Sequence, residues 1–117
     1  MKRKEKYGLI RITLLSIISL FFYSLSSAQT DRYVNASGTC TGGTPCYTNV
    51  QDAINASSTS VQDIIHVEAG SYPGFTVNKS VQIEGANKDI RGYDSRGAES
   101  EITDDIVVSN TNNVSIN

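Results

Sequence analysis

The sequence is poor in the residue types from which most catalytic and metal sites are built. Its 117 residues include two cysteines and one histidine. Five residues separate Cys40 from Cys46, whereas a catalytic dithiol has two residues between its sulfurs. A zinc site needs four ligands, so two sulfurs with no other Cys or His nearby supply half a site at best. No catalytic motif is present, and no cofactor is predicted.

Basic residues are also scarce outside the first 28 positions, which hold five of the ten Lys and Arg. Residues 29–117 carry five basic and eleven acidic side chains, a net charge of −6. A nucleic-acid-binding protein needs a basic face to meet the phosphates. The composition therefore argues against a nucleic-acid partner and fits a soluble extracellular one.

The chain has one long apolar run, at residues 12–25. A basic start precedes the run, and small residues end at Ala28, which is the pattern of a secretory signal peptide over residues 1–28. The alternative is a membrane anchor, but the run is shorter than the roughly 18–20 apolar residues that cross a bilayer. We expect secretion or display at the cell surface, with no membrane span after cleavage.

An even number of cysteines in an exported chain predicts a disulfide between Cys40 and Cys46. The intervening Gly42-Gly43 and Thr44-Pro45 favour a turn that lets the ends approach. A metal-binding pair is the alternative. The disulfide would close a short loop, so its contribution to stability should be modest.

Residues 48–56 are the one helical candidate. Thr48 as N-cap and Gln51 three residues later fit a capping box, and Val50, Ala53 and Ile54 form one apolar stripe. About two turns are too short to be stable alone, so this helix must pack on an apolar surface.

Residues 61–87 contain no segment long enough for a second helix. Three short apolar segments alternate there with polar corners, at 64–67, 75–77 and 81–83. Alternation directs Ile65 and Val67 to a core and His66 and Glu68 to solvent.

An internal repeat follows. Residues 75–77 match 106–108 at an offset of 31, and residues 81–83 match 114–116 at an offset of 33. A charged surface loop at 88–100 separates the copies. Without that loop the spacing is near twenty residues, which suits one turn of a parallel β-helix.

Several segments resemble the N-terminal coils of secreted right-handed parallel β-helix proteins of the pectin-lyase-like superfamily. They are Tyr33-Val34, TPCYTNVQDAINAS, IIHVEAGSYPG, FTVNKSVQIEGAN, RGAESEI and NNVSIN. The resemblance covers about residues 32–117. It implies an all-β right-handed parallel β-helix, a solenoid whose open end is capped by the short N-terminal helix. Residues 29–60 would hold the first strand, the disulfide loop and the cap helix, and residues 61–117 the first coils.

The same superfamily includes polysaccharide lyases, hydrolases, esterases and adhesins. Such enzymes carry their acid, base and calcium-binding residues on later coils. The resemblance therefore assigns no catalytic, cofactor or metal residue to this chain. It implies calcium only in downstream coils. Because residues 114–117 read as a strand without a cap, we expect a truncated chain whose partners include its own downstream coils.

Three groups of residues invite a functional interpretation. Asp104 and Asp105 could act as acid and base catalysts on a glycosidic bond, or could bind calcium. A solvated turn is the simpler interpretation. His66 and Glu68 share a predicted outward face and could move protons, or form an ordinary surface pair.

The third group lies in the charged loop, where Arg91 and Arg96 could grip an acidic sugar and Tyr93 could stack on its ring. A solvated loop is the alternative. The sequence thus predicts an exported or cell-surface β-helix scaffold that binds glycans or is adhesive, with a polysaccharide partner. The alternative is the N-terminal part of a polysaccharide lyase or glycoside hydrolase with catalytic coils beyond Asn117.

Overall fold

Nine short strands and one helix make up the part of the chain that the structure describes. The structure is a computed structural model, and it describes residues 28–59 and 61–117. The predicted signal peptide, apart from Ala28, lies outside the described residues. The elements are β1 (Asp31–Val34), β2 (Cys46–Tyr47), α1 (Val50–Ala56), β3 (Asp63–Val67), β4 (Gly70–Tyr72), β5 (Phe75–Val77), β6 (Val81–Glu84), β7 (Ser100–Ile102), β8 (Ile106–Val108) and β9 (Ser115–Ile116).

All strand pairs are parallel, and they form three sheets. The largest has the order β2-β1-β3-β6-β9, and two further sheets consist of β4-β7 and β5-β8. The prediction of a right-handed parallel β-helix is wrong, because the described strands form these small sheets and no closed solenoid. Matching strands of the repeat do lie side by side, but the β4-β7 and β5-β8 sheets contain only two strands each. The largest sheet takes β1 and β2 from a segment outside the repeat.

The predicted repeat does specify strand register. Phe75 pairs with Ile106 and Val77 with Val108, at the offset of 31. Ile83 pairs with Ile116, at the offset of 33. Matching apolar residues therefore stack in columns from strand to strand.

The β4–β7 pair was not predicted from the sequence. Gly70 and Tyr72 lie outside the three apolar segments of residues 61–87, and Ile102 is an isolated apolar residue. In the structure Tyr72 pairs with Ile102 and is 1% exposed. Gly and Ser are weak strand formers, so the local pattern carried little strand signal. The pairing across the sheet decides the conformation here.

The core lies between the sheets and one face of α1. In β3, Ile65 and Val67 are buried while His66 is partly exposed, which confirms the predicted alternation. The apolar stripe of α1 is also confirmed as buried. The core consists of Val34, Val50, Ala53, Ile54, Ile65, Val67, Tyr72, Phe75, Val77, Val81 and Ile83.

The N-cap of α1 is Asn49, so the prediction of Thr48 is wrong by one residue. The Asp52 N–H donates to Asn49 Oδ1 at 2.9 Å, and Asn49 Nδ2 donates to Asp52 Oδ2 at 2.7 Å. Asn is at least as good an N-cap as Thr, and Asp52 supplies the reciprocal contact. Gln51 is therefore free to bond elsewhere, and it reaches the backbone of β5.

A buried ion pair ties β1 to β3. Arg32 Nη2 lies 3.2 Å from Asp63 Oδ2, and the Asp63 side chain is fully buried. Asp63 also accepts the backbone N–H groups of Thr30 at 3.0 Å and Ser58 at 2.8 Å. A buried carboxylate is tolerated when it is paired and hydrogen-bonded in this way. The network fixes the start of the main sheet beneath the helix.

Candidate functional site

The loop at residues 88–99 has a fixed base and an exposed tip. At its base Asn87 is buried, and its Nδ2 donates to the Ala98 carbonyl at 2.9 Å. Beside it, the Ala86 N–H donates to Ser100 Oγ at 2.9 Å, and Ser100 Oγ donates to the Val67 carbonyl at 2.7 Å. These bonds hold both ends of the loop against β3, β6 and β7. The residues between them project from a rigid support.

Arg91 and Tyr93 form a pair on this loop. Arg91 Nη1 donates to the Tyr93 hydroxyl at 2.6 Å, and Arg91 Cζ lies 5.9 Å from the Tyr93 ring centroid. The Asp94 N–H donates to the Arg91 carbonyl at 2.9 Å, which closes the turn that brings them together. Tyr93 is 78% exposed. The pair presents an aromatic face and a guanidinium to solvent.

Arg96 does not join this pair. Its guanidinium forms two contacts with the Glu99 carboxylate: Nε lies 2.9 Å from Oε1, and Nη2 donates to Oε2 at 3.0 Å. Such a two-point contact matches the shape of both groups and neutralises the charge. Of the three residues predicted to contact a ligand, the structure therefore brings together Arg91 and Tyr93.

Asp104 and Asp105 lie at the corner between β7 and β8, and both are exposed. Their position at a solvated turn matches the simpler sequence interpretation. They also line an open cleft of about 370 Å³, together with Gln51, Pro73, Gly74, Phe75, Thr76 and Val107. In the part of the chain that the structure describes, no group of three or more His, Cys, Asp or Glu residues is placed to hold a metal ion.

The predicted coupling of His66 with Glu68 is wrong. His66 contacts Glu84 instead, with Nδ1 3.1 Å from Glu84 Oε2. The two residues are register partners on β3 and β6, so they lie side by side on the outer face of the sheet. Tyr33 of β1 stacks on the other side of the imidazole, with ring centroids 5.1 Å apart and an angle of 19°. Cross-strand neighbours thus decide the partners of His66.

Glu84 is the centre of this cluster and is 4% exposed. Lys88 Nζ lies 2.6 Å from Glu84 Oε1, and Gln82 Nε2 donates to the same oxygen at 2.6 Å. Burial alone would raise the pKa of the Glu84 carboxyl, but Lys88, Gln82 and His66 outweigh it and lower the pKa. His66 Nδ1 lies beside Glu84 Oε2, but among the described residues no donor is aligned to form a hydrogen bond with that oxygen. The cluster is ionic and joins the outer face of the sheet to the start of the loop.

Glu68 instead organises the disulfide loop. Its Oε1 accepts the N–H groups of Thr41 at 2.6 Å and Gly42 at 2.9 Å, and its Oε2 accepts Asn35 Nδ2 at 2.6 Å. The hydrogen bond from Asn35 is the main cause that lowers the pKa of Glu68, and the Thr41 and Gly42 donors add to it against the opposing effect of burial. This structural role was missed because it depends on loop geometry.

The predicted disulfide is confirmed. Cys40 and Cys46 are joined, with Cα atoms 5.7 Å apart. The loop between them packs Gly42 and Gly43 against the Tyr33 ring, leaving no room there for a Cβ. A disulfide is consistent with an oxidising extracellular setting.

Comparison with protein-family models, with curated proteins and with solved structures finds no match for this chain. The resemblance to the pectin-lyase-like superfamily therefore stays a prediction, and any function has to be argued from the residues themselves. Within residues 28–59 and 61–117, no helix is both long enough and apolar enough to cross a bilayer.

Proposed function

We propose that the protein is an exported or cell-surface scaffold that binds glycans, with acidic sugars as the preferred class. The observation that carries the proposal is the exposed pair of Arg91 and Tyr93. The small sheets act as the scaffold, and the loop at residues 88–99 acts as the binding element.

The chemistry of the pair suits an acidic sugar. The face of the Tyr93 ring is an apolar platform for the C–H groups of a sugar, and its hydroxyl keeps a polar edge. The Arg91 guanidinium offers a planar fork to a carboxylate. Arg91 makes no ion pair with a carboxylate among the described residues, whereas Lys88 and Arg96 do. Arg91 is therefore the cation of this loop that can receive an external anion.

The base of the loop lowers the cost of binding. Asn87 and Ser100 hold its two ends, so less backbone freedom is lost when a ligand binds. The disulfide of Cys40 and Cys46 supports an extracellular setting, in which polysaccharides are accessible.

The test is a calorimetric titration of the purified protein with a hexuronic-acid oligosaccharide. The same oligosaccharide with its carboxyl groups reduced to alcohols is the matched ligand. We expect binding of the acidic form, and weaker binding of the reduced form. Tyr93→Ala and Arg91→Gln should each weaken binding about tenfold, corresponding to 1.4 kcal/mol.

Arg96→Gln is the matched control on the same loop. Because Arg96 is held by Glu99, this substitution should leave affinity within about twofold of wild type, which is under 0.5 kcal/mol. The proposal fails if neither oligosaccharide binds, or if Arg96→Gln weakens binding as much as Arg91→Gln does.

A further inference from the structure

Residues 88–99 form the longest exposed segment among residues 28–59 and 61–117. All twelve are exposed, and none of them belongs to a strand or helix. Tyr93 is 78% exposed, and Ile90, the large aliphatic residue of the loop, is 40% exposed. Exposed loop tips with small and polar residues are the places where endoproteases most readily nick folded proteins. The loop therefore offers a candidate protease substrate as well as a binding element.

The peptide bond between Arg91 and Gly92 lies near the middle of this loop and has little packed around it. No atom lies within 4 Å of a Cβ at Gly92. The turn at this bond is closed by a backbone hydrogen bond between exposed residues, from the Asp94 N–H to the Arg91 carbonyl at 2.9 Å. Such a local bond opens at low cost in free energy, so the segment can become extended, as a protease cleft requires, while the sheets stay intact.

The contacts of the basic side chains decide which bond a trypsin-like protease would cut. Such a protease holds the Arg or Lys before the cut through a carboxylate in its S1 pocket, so that side chain must be free to leave its own contacts. Arg32 is not free, because it pairs with the buried Asp63 carboxylate. Lys79 is held too, since its Nζ donates to the backbone carbonyls of Asn55 and Ser57 at 2.6 and 2.9 Å.

The remaining basic residues lie in the loop and differ in the same way. Lys88 and Arg96 are each paired with a glutamate. Arg91 pairs with no carboxylate among the described residues, and its guanidinium donates to the neutral Tyr93 hydroxyl. Of the five basic residues at positions 29–117, Arg91 is therefore the one that can enter an S1 pocket without giving up an ion pair or a contact with the backbone.

The fold would survive a cut at this bond. All three strands that follow the loop pair with strands that precede it: β7 with β4, β8 with β5 and β9 with β6. The base of the loop is joined as well, since Asn87 Nδ2 donates to the Ala98 carbonyl and Ser100 Oγ donates to the Val67 carbonyl. The two fragments would therefore stay associated through contacts outside the loop.

We propose that the Arg91–Gly92 bond is a processing site for an extracellular trypsin-like endoprotease. The reaction is hydrolysis: the bond between the Arg91 carbonyl carbon and the Gly92 nitrogen breaks, and one water molecule is consumed. Arg91 gains a free carboxylate, and Gly92 gains a free ammonium group. The disulfide supports the extracellular setting, and the accessibility of the bond does not depend on glycan binding.

Cleavage would also switch off the glycan site, a consequence that rests on the proposed function. The new carboxylate lies on Arg91 itself, where it competes with an acidic sugar for the guanidinium. The cut opens the turn closed by the Asp94 N–H, so Tyr93 is no longer held beside Arg91. The protease would thus act on the ligand site and leave the scaffold folded.

The test is limited digestion of the purified protein with trypsin, at a protease ratio low enough to give single cuts, followed by intact-mass spectrometry. We expect cleavage after Arg91 to be about tenfold faster than after any other Lys or Arg of residues 29–117. Size-exclusion chromatography should then show both fragments in one peak, with an unchanged circular dichroism spectrum. The nicked protein should bind the hexuronic-acid oligosaccharide about tenfold more weakly than the intact protein.

Arg91→Gln should abolish this cut, and Arg96→Gln is the matched control that should leave its rate unchanged. The inference is overturned if trypsin cuts first at another basic residue of this segment, if the two fragments separate, or if Arg96→Gln slows the cut as much as Arg91→Gln does. If the intact protein fails to bind the oligosaccharide, the glycan proposal fails, whereas the position of the first cut and the association of the fragments still decide the processing site.

Discussion

The side-chain amide of Gln51 pairs with both backbone groups of Thr76. The Thr76 N–H donates to Gln51 Oε1 at 2.8 Å, and Gln51 Nε2 donates to the Thr76 carbonyl at 3.2 Å. A residue of α1 thus takes the place that a neighbouring strand would have beside β5. This pairing covers an otherwise open edge and attaches the helix to the sheet.

Replacing Gln51 with Ala should destabilise the protein by about 1–3 kcal/mol, because two partly buried hydrogen bonds are lost together. Urea denaturation followed by circular dichroism measures the change. Gln62→Ala is the control, since Gln62 Nε2 donates to the Asn113 carbonyl in an exposed position. A loss no larger for Gln51→Ala than for Gln62→Ala would contradict the importance of the contact.

Gly74 should tolerate no side chain. A Cβ at this position would meet the backbone of Asp105 and would lie 2.8 Å from Asp104 Cβ, because the two corners stack directly. Since a backbone cannot move aside as a side chain can, Gly74→Ala should cost about 1–3 kcal/mol. The free energy of unfolding in urea measures it.

Gly92→Ala is the matched control for Gly74→Ala. No atom lies within 4 Å of a Cβ at Gly92. Its effect should stay within about 0.5 kcal/mol of zero. Equal destabilisation by the two substitutions would show that the stacked corners are not the cause.

The disulfide should contribute modestly. Five residues lie between Cys40 and Cys46, so the bond closes a short loop and removes little entropy from the unfolded chain. The double variant Cys40→Ser/Cys46→Ser should lose about 2 kcal/mol of unfolding free energy. Reducing agent should destabilise the wild type by a similar amount and leave the double variant unchanged. A response of the variant to reductant would contradict this account.

Glu68 should make stability depend on acid pH. Its pKa lies below the usual 4.5 in the folded state, first because of the hydrogen bond from Asn35. A lowered folded pKa gives a stabilisation that is fully present above pH 4.5 and is lost as pH falls through the folded pKa. Glu68→Gln should therefore lower the urea midpoint at pH 7 and have little effect once the folded-state carboxyl is protonated.

Asp94→Asn is the control for the acid titration, because Asp94 is an exposed carboxylate in the loop. It should leave the urea midpoint at pH 7 unchanged. A Glu68→Gln effect that stays constant from neutral to acid pH would exclude the carboxylate as its source.

Local patterns predicted the strands well where the apolar alternation was strong. The offsets of 31 and 33 residues matched the pairing of Phe75 with Ile106 and of Ile83 with Ile116. The prediction failed at Tyr72, whose strand contains Gly and Ser and forms only because β7 lies beside it. It also failed for the overall architecture, since a repeat reports which strands are alike and not how their sheets close.

The candidate site was predicted in part for the same reason. The charge and aromatic content of the loop pointed to Arg91, Tyr93 and Arg96, but their spacing could not show that Arg96 turns to Glu99. Likewise His66 and Glu68 are two residues apart on the chain and do not pair. His66 contacts Glu84, whereas Glu68 contacts the disulfide loop.

The sequence by itself determined the disulfide, the buried stripe of the helix, and the faces and registers of the repeated strands. Each of these depends on spacing along the chain, through alternation, helical period or a short loop. Only the tertiary structure decided that the strands form small separate sheets and that Gln51 covers β5. These features depend on neighbours distant in sequence, because backbone hydrogen bonds and side-chain charges are satisfied by whichever groups the fold brings near.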